Sequence, residues 1–444
     1  MYLSFPKDFL FGAASSAVQI EAGCDEGGKG KDAWQYYTDR FPGGGSNTGA
    51  AADFYHKYPE DIKLMKELGL KTFRFSISWS RIYPNGPEEV CKAGLDYYSD
   101  VIDKLIEADI VPFFDLWHCD LPAWVIDRGG VLNPDFSTWF TAYAETCFKE
   151  FGTRVPYWST VNEPNINVLA GYAWESCPPY ERDMDKAIKA CHKMILAHYD
   201  VVRLYKKMNL GGKIGFTIHL YPSYGFTLDK KDIDAAERFT SLYSGIFTDA
   251  MLLGHYPECL MDYPYFADKL PEGYQKELDD NFIPSDYLGI NYYGTTMHEY
   301  FENDQFCYRN AAAKLPKDDY GFTVNNAGLF DTVMYAWEKY PDVEFMITEN
   351  GISKKKWGNY EEELEDDYRI SYIRENLRSL ARVLKTGAPV TGYYHWSILD
   401  TNEGYVSGYD LMFGLVQVRF DTLERVPRKS FYYYKQIIEE GKVN

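Results

Sequence analysis

Short apolar runs alternate with longer amphipathic segments along the whole chain. The run "KTFRFSISW" (71–79) precedes "LDYYSDVIDKLIEAD" (95–109), and "EFMITENG" (344–351) precedes "DDYRISYIRENLRSLARVLKTG" (366–387). A short apolar run bounded by polar residues is typical of a strand buried on both faces. Apolar residues at three- and four-residue intervals predict a helix that packs one face on a core. The pattern therefore predicts strand–helix units in series.

Eight such units follow one another. The other six apolar runs are "FLFGAASSAVQI" (9–20), "IVPFFDLWH" (110–118), "VPYWSTVNEP" (155–164), "KIGFTIHL" (213–220), "DYLGINYYG" (286–294) and "VTGYYHWSI" (390–398). Alternating strands and helices imply parallel strands, and eight units are the number that closes a (β/α)8 TIM barrel. An open doubly wound sheet is the alternative, but the glycine-rich phosphate turn typical of that fold is absent from the sequence. Because no linker interrupts the chain, we predict a single α/β domain over residues 1–444.

Polar and aromatic residues interrupt the later part of most of these apolar runs, where the predicted strands end. Catalytic groups of a (β/α)8 barrel collect at the C-terminal ends of its strands. The residues at those positions are Gln19, Arg74, His118, Asn162, Glu163, Asn291, Tyr292, Tyr293, Glu349, Asn350 and Trp396. Any one of them alone has a structural interpretation, such as a helix cap, an ion-pair partner or a core side chain. Their convergence on one rim predicts an active site.

Two of these strand ends carry glutamates, Glu163 in "TVNEP" and Glu349 in "ITENG". We expect the fourth and seventh strands on opposite walls, so that the two carboxyl groups face each other. Such a pair can hydrolyse a glycosidic bond, since one group protonates the leaving oxygen and the other attacks the anomeric carbon or activates water. Arg74 and Tyr293 would keep Glu349 ionised, as suits a nucleophile. Burial near a second carboxylate would raise the pKa of Glu163, as suits an acid.

The remaining strand-end residues suit a carbohydrate. Gln19, His118 and Asn162 would offer hydrogen bonds to sugar hydroxyls, and Trp396 would offer an apolar surface to the ring. An aromatic content of 17% agrees with a ligand that has polar and apolar faces.

Charge and composition exclude other classes of partner. The net charge of −20, from 46 basic and 66 acidic residues, argues against nucleic acid or an anionic membrane as a partner. No apolar run reaches the ~18 residues of a membrane span. The acidic run "EEELEDD" (361–367) predicts solvated charges at the start of a helix.

The cysteines and histidines bear on redox compartment and metals. Eight cysteines are scattered singly without a CxxC pair, which favours reduced thiols and a cytoplasmic location. "FLFGAASSA" lacks a preceding basic segment and directly follows Lys7 and Asp8, so we interpret it as a strand and not as a signal sequence. The eight histidines form no HExxH or other paired spacing, which predicts no metal site built by the protein.

The sequence resembles glycoside hydrolase family 1, the β-glucosidase family, over essentially its whole length. The stretches that carry the resemblance are "FPKDFLFGAASSAVQIE", "RFSISWSRIYPNG", "WHCDLPAW", "TVNEPN", "GINYYG", "ITENG" and "GLVQVRFDTLERVPRKS". The resemblance implies retaining hydrolysis of a small-molecule β-glycoside through a covalent glycosyl-enzyme, without a cofactor. By position, Glu163 is similar to the acid/base and Glu349 to the nucleophile.

The resemblance also implies roles for the neighbours of the two glutamates. Gln19, His118, Asn162 and Glu403 match positions that bind the sugar. Trp396 matches the tryptophan that stacks on the sugar ring. The positions that support the nucleophile are matched by Arg74, Asn291 and Tyr293.

The sequence departs from the family pattern at several of these positions. Cys119 stands where an aromatic usually follows the histidine, and Phe322 where a tryptophan commonly faces the aglycone. The segment "DTNEGYVSGY" (400–409) keeps Glu403, but Gly404 replaces a tryptophan, and Tyr405 is a candidate to supply the missing ring. We expect this loop to determine which hydroxyl pattern and which C6 substituent are accepted.

Several functions remain open from the sequence. A 6-phospho-β-glycosidase of the same family would have a serine near position 403 and a lysine soon after, whereas Glu403 would repel phosphate and "YDLMFG" (409–414) has no lysine. A galactosidase-like or fucosidase-like preference stays open, as does transglycosylation, which uses the same catalytic residues. A non-catalytic sugar-binding barrel would be expected to lack one of the two glutamates. The sequence does not determine whether the protein forms a homo-oligomer.

Overall fold

The computed structural model describes residues 2–37, 51–403 and 408–444. Within these ranges, eight parallel strands close a barrel in which each strand pairs with the strand before it in the chain, and the last pairs with the first. The strands are β1 (Leu10–Ala14), β2 (Thr72–Ser76), β3 (Val111–Asp115), β4 (Tyr157–Asn162), β5 (Lys213–His219), β6 (Tyr287–Asn291), β7 (Glu344–Asn350) and β8 (Val390–Trp396). The predicted (β/α)8 barrel is confirmed.

A helix follows each strand and packs outside the barrel. The helices are α1 (Phe54–Leu68), α2 (Lys92–Glu107), α3 (Phe136–Phe151), α4 (Met184–Met208), α5 (Lys230–Thr240), α6 (Gly328–Lys339), α7 (Asp367–Thr386) and α8 (Lys429–Glu440). A π-helical turn, Ser241–Gly245, joins α5 to a further helix, Ile246–Leu253. Pro59 is the sixth residue of α1, where it cannot donate the backbone hydrogen bond of an ordinary helical residue.

The loops contain short elements that the hydrophobic pattern did not predict. Three strands, Ser223–Gly225, Thr296–Tyr300 and Tyr308–Asn310, form a small sheet, and Val416–Arg419 forms a hairpin with Glu424–Pro427. Leu3–Ser4 pairs with Lys442–Val443, and Lys354–Lys355 pairs with Leu411–Met412. Short helical segments are Ala17–Ile20, Ala33–Tyr36, Trp79–Ile82, Ala123–Asp127, Gly130–Leu132, Asn165–Ala170, Gly171–Ala173, Glu258–Met261, Pro264–Ala267, Tyr274–Asn281 and Glu362–Leu364.

The interior of the barrel is filled by aromatic side chains. Phe113 of β3 makes edge contacts with Tyr287 of β6 and Tyr394 of β8, with ring centroids 5.8 and 5.5 Å apart. Met346 of β7 completes this layer. A packed interior leaves polar side chains room only at the strand ends, as is usual for this fold.

The acidic run at 361–367 differs from its prediction. Glu363 and Asp366 are buried. The backbone N–H and hydroxyl of Ser430 donate to Asp366 at 2.9 and 2.6 Å, and Arg369 forms an ion pair with Asp366. The start of α8 packs over the run, so two of its charges are enclosed instead of solvated.

Among the helices of the described ranges, none combines the length and the apolar character needed to cross a lipid bilayer. Nor do three or more histidine, cysteine, aspartate or glutamate side chains of these ranges come together in a way that would hold a metal ion.

Candidate active site

A cavity of about 210 Å³ opens among the strand-end residues. The predicted residues that line it are Gln19, His118, Cys119, Glu163, Tyr293, Phe322, Glu349, Trp396 and Glu403. Arg74, Asn162 and Asn291 are completely buried and hydrogen-bond to the carboxyl and amide groups of this cluster. Gly404 and Tyr405 lie outside the described residues. The structure thus brings these residues to one site. Tyr292 and Asn350 do not line the cavity, and Asn350 instead donates to the backbone carbonyl of Tyr292 at 2.7 Å.

Both carboxylate oxygens of Glu349, near the end of β7, accept a short hydrogen bond. Arg74 donates to Oε1 at 2.7 Å, and the hydroxyl of Tyr293 donates to Oε2 at 2.7 Å. Arg74 also forms an ion pair with Asp115 at 2.9 Å. Charge-assisted bonds of this kind favour the ionised carboxylate and fix its orientation.

The Arg74 guanidinium is completely buried between these two carboxylates. Burial favours its neutral form, but the charges of Asp115 and Glu349 oppose this and raise the pKa of Arg74 above its ordinary value. The arginine therefore supplies a permanent positive charge beneath Glu349.

Glu163 follows β4 directly and occupies a different environment. Its backbone has a φ of +48°, a left-handed conformation that is uncommon for residues other than glycine and concentrates at functional sites. Its N–H donates to the carbonyl of Thr217 on β5 at 2.8 Å, and Asn291 donates to its Oε1 at 2.7 Å. Burial and the nearby charge of Glu349 raise the pKa of Glu163 to about 8. Glu163 is therefore protonated at neutral pH.

Asn291 contacts Glu163, whereas the sequence predicted that it would support Glu349. The sequence grouped it with the residues that support Glu349, but its amide donates to Glu163 at 2.7 Å and to Asn162 at 3.1 Å. Although its backbone lies opposite Glu349 in the β6–β7 register, its side chain reaches towards β4. Thr348 donates to its Oδ1 at 2.8 Å, which orients the amide.

The two catalytic candidates lie on separate walls of the barrel. Strands β5 and β6 lie between β4 and β7 on one side of the barrel, and β8, β1, β2 and β3 lie between them on the other. Strands four and seven are therefore three positions apart in a ring of eight, one position short of diametrically opposite, and the two glutamates line the cavity from facing walls. The charge of Glu349 acts on Glu163 across the cavity.

Glu403 and Gln19 form a polar pair on the wall formed by β8 and β1. Gln19 donates to Glu403 at 3.3 Å, and the hydroxyl of Thr401 donates to the same oxygen at 2.5 Å. Trp396 also donates a hydrogen bond to Glu403. Burial raises the pKa of Glu403 to about 7, since the bond from Thr401 opposes this shift only in part and the charge of Glu349 adds to it.

His118 joins this wall to the amide of Asn162. Its Nε2 lies 3.1 Å from Asn162 Nδ2, and its ring stacks on Trp396 with centroids 5.7 Å apart. Arg74 donates to Asn162 Oδ1 at 2.7 Å. Cys119 follows with a φ of +69° and lines the cavity beside the histidine.

Phe322 lies in the middle of a stack of three aromatic rings. It packs nearly parallel to Tyr320 and to Tyr293, at centroid distances of 4.5 and 4.9 Å. The stack runs from Tyr293, which donates to Glu349, to Tyr320 in the long loop between β6 and α6. All three rings line the cavity.

Sequence reasoning missed several residues of the site. Asp115 and His219 stand at the ends of β3 and β5, so the rule that identified the other strand-end residues could have found them. The cavity is also lined by loop residues that no local pattern marks, namely Trp34, Ile166, Tyr243, Tyr320 and Phe413.

Comparisons with known proteins agree with this geometry. Residues 1–443 match the model of glycosyl hydrolase family 1. Beta-glucosidase A of Acetivibrio thermocellus is 36% identical over 99% of both chains, and the 6-phospho-beta-glucosidase GmuD of Bacillus subtilis is 33% identical over 98% of both. The solved family 1 β-glucosidase from Thermotoga maritima superposes with a TM-score of 0.95 at 30% identity over 99% of both chains. The chain is therefore a glycoside hydrolase and belongs to glycosyl hydrolase family 1.

Proposed function

We propose that this glycoside hydrolase is a retaining, exo-acting β-glucosidase in which Glu349 is the nucleophile and Glu163 the acid/base. The observation that carries the proposal is the contrast between the two carboxyl groups. Glu349 accepts bonds from Arg74 and Tyr293, which favour its charge. Glu163 is buried beside that charge and keeps its proton to about pH 8. Two carboxyl groups whose surroundings favour opposite protonation states are suited to act as an acid and a nucleophile.

In the first step Glu349 attacks the anomeric carbon while Glu163 protonates the departing oxygen. The bond from the anomeric carbon to the leaving group breaks, and an ester between the sugar and Glu349 forms. Arg74 and Tyr293 hold the attacking carboxylate in place. This orientation lowers the entropic part of the activation free energy.

In the second step water hydrolyses the ester. Once Glu349 is esterified it no longer carries a charge, so the field that raised the pKa of Glu163 weakens. Glu163, ionised by the first step, then takes a proton from water as a general base. An acceptor sugar in place of water would give transglycosylation by the same chemistry.

The remaining polar groups bind the sugar of the cleaved unit. Gln19, His118, Asn162 and Glu403 would contact its hydroxyls, and Trp396 would contact a ring face. Cys119 and Phe322 line the same cavity and contribute to specificity. Asn291 supports Glu163 by its hydrogen bond.

A 6-phospho-β-glucosidase is the second candidate, since one relative carries that name. Glu403, bonded to Gln19 and Thr401, argues against it. Its carboxyl would repel a phosphate group once ionised, and Asp410 to Gly414 supply no lysine. A galactoside or fucoside preference depends on the loop that contains Gly404 and Tyr405, which lies outside the described residues.

The proposal includes the cellular context. The scattered cysteines and acidic composition favour a cytoplasmic enzyme acting on small glycosides. The proposed reaction requires no cofactor, because the two carboxyls supply both the acid and the nucleophile.

The test compares the hydrolysis of 4-nitrophenyl β-D-glucoside, galactoside, fucoside and glucoside 6-phosphate by the wild type and by two variants. We expect the glucoside to be hydrolysed fastest. Glu349→Ala should lose activity on the glucoside by at least about a thousandfold. Glu163→Ala should lose about 10²- to 10⁴-fold on poor leaving groups and far less on 2,4-dinitrophenyl glucoside, which needs no acid.

The matched control is Glu344→Ala, because Glu344 begins the same strand at the opposite end of the barrel and pairs with Lys213. This variant should keep wild-type activity. Preference for the phosphorylated glucoside would favour the second candidate. Equal losses by Glu163→Ala on good and poor leaving groups would remove the acid assignment, and full activity of Glu349→Ala would remove the nucleophile assignment. No hydrolysis of any of these glycosides by the wild type would indicate a non-catalytic sugar-binding barrel.

A further inference from the structure

We propose that Asp115 is a positioning residue for the nucleophile, which shares the charge of Arg74 with Glu349 and remains the partner of Arg74 when Glu349 becomes an ester. This inference rests on the function proposed above, because it concerns the covalent step in which Glu349 attacks the sugar. Asp115 is completely buried and does not line the cavity, so it acts on the reaction through Arg74 and not by touching the substrate.

Asp115 lies between the aromatic interior of the barrel and the cavity. It is the last residue of β3, two positions after Phe113, whose ring lies 5.8 Å from the guanidinium carbon of Arg74. Alternate residues of a strand point to the same face, so Phe113 and Asp115 both point into the barrel. The carboxyl group of Asp115 therefore lies at the level of Arg74, just beneath the two glutamates.

The buried charge of Asp115 depends on one cation. Its Oδ2 lies 2.9 Å from a terminal nitrogen of Arg74 and 3.5 Å from Nδ1 of His118. Within the part of the chain that the structure describes, neither oxygen of this carboxyl accepts a hydrogen bond of ordinary geometry. Buried polar groups are normally hydrogen-bonded, because an unsolvated charge is costly. An aspartate without such bonds contributes mainly its charge, and that charge acts on Arg74.

Arg74 is divided between two carboxylates. One terminal nitrogen donates to Glu349 at 2.7 Å, and the other donates to Asn162 at 2.7 Å and faces Asp115. A carboxylate that holds the whole charge of an arginine is a weaker nucleophile, since it must give up this stabilisation when it attacks. Competition from Asp115 for the same guanidinium reduces that cost.

The covalent step moves a negative charge away from Arg74. An oxygen of Glu349 forms a bond to the anomeric carbon, the bond from that carbon to the leaving oxygen breaks, and the proton of Glu163 goes to the leaving oxygen. Glu349 is then a neutral ester and Glu163 is the anion, but Glu163 accepts its bond from Asn291 and not from Arg74. Asp115 keeps Arg74 paired in this state, and an unpaired buried cation would be strongly unfavourable.

The two steps should therefore respond differently to Asp115. Removing its charge makes it harder for Glu349 to leave Arg74, so the ester should form more slowly. In the second step Glu349 leaves the sugar and returns to Arg74 as a carboxylate, so an unpaired Arg74 should assist its departure. A weaker basicity of Glu163 offsets part of this gain. Loss of packing alone would slow both steps.

Asp115 also acts on Glu163, which provides a second observable. Its charge is one of those that raise the pKa of Glu163, so its loss lowers this pKa and moves the alkaline fall of kcat/KM to lower pH. The titratable groups that face Asp115 are Arg74, His118, Tyr287, Tyr394 and Glu163. Glu163 also faces Glu349, Tyr243, Tyr293, Tyr320 and Cys177.

The experiment measures ester formation and ester breakdown separately with 2,4-dinitrophenyl 2-deoxy-2-fluoro-β-D-glucoside. Its leaving group needs no acid and its fluorine slows both steps, so the glycosyl-enzyme accumulates and is detected by mass spectrometry. The rate of trapping reports the first step, and the return of activity after removal of the reagent reports the second. The full-length wild type is compared with two neutral replacements, Asp115→Asn and Asp115→Ser, so that the result does not depend on the packing of one side chain.

Asp61→Asn is the matched control. Asp61 on α1 is completely buried and pairs with Arg425 at 2.8 Å, outside the barrel. Loss of its charge should lower the temperature of thermal unfolding. Both rates should stay within about twofold of wild type, since this pair is not connected to the nucleophile.

We expect trapping to slow about ten- to hundredfold in the Asp115 variants, and reactivation to stay within about threefold of wild type. The alkaline fall of kcat/KM for phenyl β-D-glucoside should move to lower pH in both. Trapping at the wild-type rate overturns the inference. Equal slowing of trapping and reactivation also overturns it, because Asp115 would then be a structural residue only, and so does an alkaline fall that does not move.

Failure of the proposed function has a different signature. In that case the wild type itself would form no glycosyl-enzyme of the expected mass, and the inference about Asp115 would fall with it. Normal trapping of the wild type, together with unchanged trapping of Asp115→Asn, removes the inference alone.

Discussion

Glu163 and Glu349 both carry a carboxyl group, and their different surroundings suit them to different roles in the proposed reaction. Arg74 lies 2.7 Å from Glu349, whereas the bond that Glu163 accepts comes from the neutral amide of Asn291. A neutral donor offsets the cost of burying a charge less than an arginine does. The difference in reactivity therefore arises from one cation, placed against one of the two carboxyls.

The raised pKa of Glu163 predicts the alkaline limit of the reaction. The general acid must be protonated, so kcat/KM for phenyl β-D-glucoside should level off just below, and fall tenfold per pH unit above, a pKa of about 8. The groups whose charges act on Glu163 are Glu349 and Asp115, which raise its pKa, and Arg74, which lowers it. The measurement is the pH profile of kcat/KM, which reports the ionisation of groups in the free enzyme.

The control for this profile is Glu163→Ala with 2,4-dinitrophenyl glucoside. Without an acid to titrate, its profile should lack the fall near pH 8. An alkaline limb that persists unchanged in Glu163→Ala would assign the titration to another group, of which Glu403 is the nearest in pKa.

At the scale of elements, the close packing of β5, β6 and β7 determines where Asn291 lies. Gly289, two residues earlier on β6, has no side chain, and a Cβ there would lie 2.5 Å from Thr217 Oγ1 and 2.8 Å from Thr348 Cγ2. Both threonines belong to the adjacent strands. The glycine allows the three strands to approach, and so brings Asn291 within reach of Glu163.

Gly289→Ala should therefore destabilise the barrel and lower activity together. Overpacking of this kind costs about 1–3 kcal/mol, measured as the change in the urea midpoint at constant m-value. Gly392→Ala on β8 is the matched control, since its Cβ would lie no closer than 3.2 Å to any neighbour. Equal effects of the two substitutions would show that close approach at Gly289 is not the cause.

At the scale of the whole molecule, the last part of the chain holds the segment that carries Glu403. Arg428, just before α8, donates from both terminal nitrogens to Asp400 at 2.8 Å, and both side chains are completely buried. Asp400 in turn accepts from the backbone of Gly414 and Val418 at 3.0 and 3.2 Å. The C-terminal hairpin and the segment that carries Glu403 are therefore one bonded unit.

Arg428→Met should leave Asp400 buried without its countercharge. Loss of one partner of a buried ion pair costs about 3–5 kcal/mol, to be measured by urea unfolding, and KM for the glucoside should rise because the Glu403 segment is no longer held. Arg419→Met is the control, since Arg419 pairs with Glu361 and Glu424 at the surface and its loss should change stability little. Equal stability losses in the two variants would contradict the structural role of the Asp400 pair.

Local patterns were sufficient for the barrel and for most of the site. Each strand is a short apolar run, and the position after it marks a residue at the rim, which located Glu163, Glu349, His118 and Trp396. Patterns failed where a contact joins distant parts of the chain. Nothing near Asp366 in the sequence indicates that Ser430 will cover it.

The sequence by itself determined the order of strands and helices, and with it the pair of glutamates at one rim, because hydrophobic period and strand ends are local properties. Only the tertiary structure decided which groups surround each glutamate. The pKa of Glu163, the partner of Asn291 and the two carboxylates that share Arg74 depend on distances across the barrel. Burial and charge act through space, so side chains far apart in the chain acquire their chemistry only when the barrel closes.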